Sequence, residues 1–290
     1  MQTTKKETTT TILRKPEWLK IKLPRGFKTS QVVGLLNDHG LNTICSSGLC
    51  PNKGECWGNG TATFMIGGNI CTRNCKFCNV SNGKPQPLDN NELYDIVKSV
   101  NALQLKHIVI TSVDRDDLYD YGAGHWCKII KMIKESCPEV TMEVLIPDFR
   151  GREDLINMVI ESRPEVISHN METVRRLTPE VRSVATYDTS LKVIKQISDS
   201  GIRSKSGIML GLGETEEEVL ETMQDLRDSG CEVITIGQYL QPTRMHYPVK
   251  AYITPEKFEE YGRLGRNMGF RHVESGPLIR SSYHAERHIL

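Results

Sequence analysis

Six of the nine cysteines fall between Cys45 and Cys78, in two sets of three. The second set, Cys71, Cys75 and Cys78, lies in CTRNCKFC with the spacing C-x3-C-x2-C. Three thiolates on one tight loop can hold three irons of a [4Fe–4S] cube, which ordinarily takes four cysteines. The iron left without a protein ligand is an open position, and open positions mark catalytic metal sites rather than structural ones. Phe77, between the last two cysteines, is placed to shield such a cluster or meet an aromatic ligand. A structural zinc loop is the competing reading, but it wants a fourth Cys or His nearby. The first histidine after the loop, His107, falls in a predicted strand.

The first set, Cys45, Cys50 and Cys56 in CSSGLCPNKGEC, is spaced C-x4-C-x5-C and also lacks an evident fourth ligand. The two triplets read either as one six-thiolate site or as two separate cubes. Their different spacings on either side of a predicted strand favour two. For this set alone structural zinc remains an alternative. The other cysteines, Cys127, Cys137 and Cys231, read as small buried hydrophobes. Clustered cysteines in a chain of this size point to metal rather than to a disulfide framework.

Short β-rich runs must position these loops. They are TATFMIG (61–67), KHIVITS (106–112), TMEVLIP (141–147), PEVISHN (164–170), RSKSGIML (203–210) and EVITIGQ (232–238). Helical patterns alternate with them near 91–102, 124–136, 152–162, 188–200, 215–229 and 255–268. The alternation predicts parallel βαβ units, an open sheet or an incomplete barrel of six. Both architectures put sites at the carboxyl ends of strands. Cys71–Cys78 follow the first strand, Asp114–Asp117 the second, His169–Glu172 the fourth, Gly211–Glu214 the fifth, and Gln238–Tyr239 end the sixth. Residues 1–60 form an N-terminal extension with one helix predicted around Thr29–His39, 61–270 the α/β body, and 271–290 a tail.

Of 290 residues, 38% are hydrophobic and 25% charged, enough for a sizeable core. The formal charge of +1 gives no case for nucleic acid or an anionic membrane. No run approaches the length of a membrane span. The opening MQTTKKETTTT carries charge without an apolar h-region, which predicts no secretory signal; a cytoplasmic setting is expected.

The cysteine loop after the first strand resembles the radical S-adenosylmethionine superfamily. CSSGLCPNKGECW upstream and RSSYH (280–284) downstream make the chain resemble that superfamily's lipoyl synthase family. The resemblance continues through TSVDRDDLYDYGAGH, EVLIPDF, ISHNMETV, SGIMLGLGET, TIGQYLQPT and ESGPLIRSSYHA, roughly residues 12–286. It implies a partial (β/α)6 barrel and a sulfurtransferase that inserts two sulfurs, at C6 and C8, into an octanoyl chain on a carrier-protein lysine. Those carbons carry no activating group, so acid–base chemistry cannot remove their hydrogens. A 5′-deoxyadenosyl radical can, with the protein supplying position and exclusion of water.

The resemblance implies S-adenosylmethionine and two [4Fe–4S] clusters. Cys71, Cys75 and Cys78 match the radical-cluster ligands. Cys45, Cys50 and Cys56 match three ligands of an auxiliary cluster that donates sulfur, and Ser282 of RSSY matches the fourth. Octanoylated lipoyl-carrier domains or H protein are the implied substrates, with an electron donor of flavodoxin or ferredoxin type. Asn170 and Glu172 are expected to bind S-adenosylmethionine, and a strand-to-helix cap is the local alternative. Gly211, Gly213 and Glu214 resemble an adenine-side turn, while Thr215 with Glu218 reads as a capping box. Lys205 and Arg73 are candidate carboxylate binders. Asp114–Asp117 are candidates for the cofactor's ammonium or for the peptide carrying octanoyl-lysine. Another sulfur-inserting radical enzyme is the nearest rival, distinguished by its substrate. A noncatalytic iron–sulfur scaffold would hold metal without cleaving S-adenosylmethionine.

Overall fold

The computed structural model describes residues 14–20, 42–48, 50, 52, 55–56 and 63–289. The helix expected around Thr29–His39 lies outside them. Among the described residues nine strands occur: β1 (Thr63–Ile66), β2 (Ile70–Cys71), β3 (Ser81–Asn82), β4 (His107–Ser112), β5 (Thr141–Leu145), β6 (Val166–Ser168), β7 (Arg203–Leu210), β8 (Val233–Gln238) and β9 (His272–Gly276). Seven form one sheet in the order β1-β4-β5-β6-β7-β8-β9, every pair parallel. The tiny β2 and β3 pair separately and frame the second cysteine loop.

Between the main strands run α2 (Asn90–Ala102), α3 (Ala123–Ser136), α4 (Glu153–Glu161), α5 (Thr178–Val181), α6 (Tyr187–Asp199), α7 (Glu216–Asp228) and α8 (Pro255–Asn267), after a short α1 (Ile44–Ser47). Their starts are set locally. Thr186, Thr215 and Thr254 each accept a backbone N–H in the first turn, and Thr215 and Glu218 complete the expected capping box. The predicted long helices all form, within a residue or two of their expected ends.

Because paired residues share a face, the registers give the sheet two faces. One face carries Phe64, Ile66, Ile108, Ile110, Met142, Val144, Ile167, Ile208, Leu210, Ile234 and Ile236, all buried. They pack with the helices in two apolar clusters. Each such fully buried side chain contributes about 1.5–3 kcal/mol of transfer free energy. The opposite face carries His107, Glu143, Ser168, Lys205, Gly207, Thr235, Gly237 and Glu274, interleaved with the apolar Met65, Val109, Val166 and Val233. That face lines the barrel interior and gives it its polar groups. Among the described residues no ladder joins β1 to β9, so the barrel is partial.

One boundary differs from expectation. The stretch read as tail from 271 begins with a seventh strand, β9, paired to β8. Its sequence, HVESG, has one large apolar residue and no alternation, so it carries no strand signal. The remaining chain ends in a 3-10 turn, Ala285–Ile289.

Candidate iron–sulfur and cofactor site

The loop carrying Cys71, Cys75 and Cys78 is fastened from several sides. Thr72 N–H donates to Asp114 O at 3.0 Å, and Tyr247 N–H donates to Lys76 O at 2.8 Å. Cys71 Sγ accepts the N–H groups of Arg73 at 3.4 Å and Asp114 at 3.3 Å. Cys75 Sγ lies 3.6 Å from Ser183 Oγ, and Phe77 packs against the apolar cluster of the second half-barrel. Arg73 is the hub. Its buried guanidinium meets Asp116 at 2.8 Å, Asp148 at 2.7 Å and Asp114 at 3.3 Å, tying the loop to the rims of β4 and β5.

Burial pushes the Cys71 thiol up to about 12; Asp114 adds to the shift and the two backbone N–H donors oppose it. Cys78 is pushed up to about 11 by burial, with Cys75 among the charges adding to it. Burial likewise raises Asp114 to about 6 against the pull of Arg73. Such unpaired, half-buried thiols are costly to ionise without a metal, and ligation reverses that by binding the thiolate. None of the nine cysteines is in a disulfide. The donor chemistry and the grouping therefore fit an iron–sulfur centre. Among the described residues no group of three or more His, Cys, Asp or Glu side chains is placed to hold one metal ion. A cube sets a different demand, since its thiolates bind separate irons.

The other set assembles from both ends of the chain. Cys45 sits in α1, whose first turn is capped by Thr43, and Thr43 bridges antiparallel to Phe64 on the edge of β1. Cys50 and Cys56 pack beside it. Cys56 is pushed up to about 12 by burial, with Cys50, Cys45, Glu55 and Glu286 adding to it. The tail closes over this group. Asn52 Nδ2 donates to Leu278 O at 2.6 Å, and Tyr283 Oη donates to Glu55 Oε1 at 3.0 Å. Arg280 is drawn down by burial and opposed by the neighbouring Cys50. Ser282 lies between Arg280 and Tyr283, in the turn closed by Tyr283 N–H to Arg280 O at 2.9 Å. Asn79 Nδ2, just past Cys78, donates to Ser47 O at 2.8 Å and links the two sets.

The expected cofactor residues separate into two groups. Asn170 and Glu172 stand at the mouth, at the carboxyl end of β6. Asn170 Nδ2 donates to Ser281 Oγ at 2.7 Å, and its buried Oδ1 has no partner. Burial raises the Glu172 carboxyl, with Arg182 and Asn170 opposing the shift. Glu172 holds a left-handed φ of 69°, an uncommon conformation for a residue with a side chain and one that clusters at functional sites.

The remaining candidates are occupied internally. Lys205 is fully buried; its Nζ donates to both oxygens of Glu143, at 2.8 and 2.7 Å, and to His288 Nδ1 at 3.1 Å. All three ammonium donors are engaged, so Lys205 is a core ion pair and no open carboxylate binder. Arg73 is likewise committed to aspartates. Glu214 caps its own turn, accepting Gly211 N–H at 2.5 Å and Leu212 N–H at 2.9 Å. Gly211 has φ 97°, and a Cβ there would fall 2.4 Å from Ala251 O. The turn's shape thus comes from its own chain. Arg115, from the acidic loop, binds Asp117 and the Gly67 and Gln86 carbonyls. Sequence reasoning missed three residues: Asp148 and Asn52 lie inside the segments EVLIPDF and CSSGLCPNKGECW but were given no role there, and no motif surrounds Ser183. Gly237 did leave a signal. An isolated glycine within a strand marks close backbone approach, and a Cβ there would lie 2.2 Å from Ile279 O of the tail.

A parallel partial barrel with a three-cysteine loop after its first strand defines a radical S-adenosylmethionine enzyme. The family profile described as Radical SAM superfamily matches residues 65–226. Solved structures agree on the fold. Methylornithine synthase (PylB) superposes with a TM-score of 0.56 at 13% identity, covering 73% of this chain and 70% of its own. Streptococcus suis SuiB bound to the precursor peptide SuiA gives 0.59 at 12% identity, covering 92% and 58%. Sequence relatives narrow the class. Lipoyl synthase of Treponema denticola is 65% identical over 277 residues, 96% of each chain. That of Phocaeicola vulgatus is 60% identical, over 96% of this chain and 98% of its own. The chain belongs to the lipoyl synthase family of radical S-adenosylmethionine enzymes. Among the described residues no helix is long and apolar enough to cross a membrane.

Proposed function

We propose that this chain converts a carrier-bound octanoyl-lysine to the lipoyl group by adding sulfur at C6 and C8, and that its two cysteine sets divide the work. The observation that carries the reading is the closing of the tail that holds RSSY over the first set: Tyr283 on Glu55 and Leu278 on Asn52. A single-cluster enzyme has no need of that closure.

Cys71, Cys75 and Cys78 would hold one [4Fe–4S] cluster, and Cys45, Cys50, Cys56 and Ser282 a second. Bound there with S-adenosylmethionine, the cluster on Cys71, Cys75 and Cys78 would supply a radical able to take hydrogen from an unactivated carbon, and the cluster on Cys45, Cys50 and Cys56 would supply sulfide. The chain's own residues do the rest. Arg73 and its three aspartates fix the radical-side loop against the rim. Asn170 and Glu172 offer a polar ledge at the mouth, where the unpartnered Asn170 Oδ1 awaits a donor such as a cofactor hydroxyl or ammonium. The apolar seat of Phe77 helps keep water from the loop, which protects a reactive radical. In this reading Ser282 of the RSSY turn would bring a hydroxyl to a set with only three thiols.

The substrate class is an octanoylated lipoyl-carrier domain or H protein, with electrons from a flavodoxin- or ferredoxin-type donor in a cytoplasmic setting. Anaerobic incubation of the iron-loaded chain with S-adenosylmethionine, reductant and an octanoyl-lysine peptide tests this. Mass spectrometry is expected to find two added sulfurs; cleavage of S-adenosylmethionine without any sulfur-bearing product would overturn it.

A further inference from the structure

The tail runs on past RSSY into the barrel interior. Ile279 O lies against Gly237 of β8. Ser281 accepts from Asn170 and passes over Gly207 of β7. The 3-10 turn that follows contacts β4 and delivers His288, fully buried, among the strands. There Lys205 Nζ donates to its Nδ1 at 3.1 Å, and Arg203 Nη1 donates to its backbone O at 2.5 Å. Glu274 Oε1 on β9 stands 3.9 Å from its Nε2, and the His272 ring lies 6.0 Å away.

The donor count explains the choice of residue. A buried ammonium has three N–H donors, and the Glu143 carboxylate takes two. The third needs a neutral acceptor, because a second carboxylate would leave a net buried charge. An imidazole Nδ1 meets that need. Burial and the Lys205 ammonium both keep His288 uncharged. Without it the third donor is orphaned, and hydration or rearrangement must follow.

We propose that His288 is a positioning residue, a latch that docks on the buried Lys205–Glu143 pair and fixes the reach of the tail so that Arg280–Tyr283 lie on the Cys45 set. It is a hydrogen bond between a neutral ring and an ion, with no second charge to strand, so it releases without leaving an unpaired carboxylate behind. A tail that must yield to a substrate while keeping a defined resting place needs such a joint. The purpose assigned to the latch rests on the function proposed above; its existence does not.

Hydrogen exchange read by mass spectrometry on the metal-free full chain tests it. In His288→Ala, amides of residues 280–289 are expected to exchange about tenfold faster or more, while peptides from β5 and β7 keep their protection. His288→Gln, whose amide oxygen can accept from Lys205, should restore most of the protection. A chain cut after Arg287 should behave as His288→Ala does. Unchanged tail exchange in His288→Ala, loss of protection shared equally with β5 and β7, or a Gln variant no better than Ala would each overturn the latch. Ser282→Ala separates the two readings. It should leave tail exchange as in the wild type whatever it does to sulfur insertion, so an active Ser282→Ala enzyme would sink the assigned purpose and spare the latch.

Discussion

The two cysteine triplets are supported in opposite ways. Cys71, Cys75 and Cys78 lie within one short stretch, Cys71 ending β2 and the other two in the loop before β3, and the barrel rim grips that stretch through Arg73, Thr72 and Tyr247. Cys45, Cys50 and Cys56 lie outside the sheet and are closed by residues far along the chain, Asn52 to Leu278 being 226 positions apart. The first arrangement is a fixture: removing any one tie leaves several others. The second is a clasp between two chain ends, held by single hydrogen bonds each worth only about 0.5–1.5 kcal/mol net. A centre that must be used repeatedly belongs on a fixture. One that must open to give up sulfur suits a clasp.

The largest effect that tests this contrast is removal of the fixture. Replacing Cys71, Cys75 and Cys78 together with Ala should abolish 5′-deoxyadenosine formation and the lipoyl product alike. Iron per chain should fall from about eight to about four, two cubes to one, by chemical iron assay after anaerobic reconstitution. Stoichiometric zinc without iron–sulfur absorption in the unaltered chain would break the account at its root.

Removing one thiol from the clasp should split the two activities. Cys45→Ala is expected to keep cleaving S-adenosylmethionine and to form no lipoyl product, measured side by side by chromatography and mass spectrometry. A variant fully competent in lipoyl formation would end the division of labour. Ser282→Ala should give the same split, and its thermal unfolding midpoint should match the wild type, since no core contact depends on that hydroxyl.

A stability effect without a split should come from the interior. Glu143→Leu leaves Lys205 buried and unpaired and should cost about 3–5 kcal/mol in denaturant unfolding, lowering both activities together. Smallest of all, Asn52→Leu removes one tie of the clasp. About 1 kcal/mol of local stability should go, visible as faster exchange at 278–283, with S-adenosylmethionine cleavage untouched.

Much of the scaffold was legible because the strands announce themselves. KHIVITS carries a β-branched run and RSKSGIML an apolar end, each with a helix pattern on either side, and the residues that follow them gather at one rim. β9 was not legible, since HVESG makes its strand by pairing with β8 rather than by any preference of its own. The spacing of Cys71, Cys75 and Cys78 singled that loop out as a metal candidate, whereas the spacing of Cys45, Cys50 and Cys56 left structural zinc open. The role of Lys205 was legible only by half: sequence reading gave it a carboxylate partner, and the side chain it meets is Glu143 of β5, on the far side of β6. No local pattern predicts an ion pair between residues 62 positions apart. The same holds for Arg73, whose aspartates come from two different loops. Glu214 shows the reverse case, a residue whose short-range hydrogen bonds account for its place before any ligand is invoked.

The central claim, that the first set holds the sulfur that enters the product, can be read from an isotope. The chain is reconstituted with ³⁴S-sulfide, freed of unbound sulfide, and mixed with S-adenosylmethionine, reductant and the octanoyl-lysine peptide in the presence of unlabelled sulfide. The account predicts that the first lipoyl product formed carries two ³⁴S atoms and that Cys45→Ala, treated identically, yields none. A product bearing unlabelled sulfur from solution, formed at the same rate by both proteins, would contradict it.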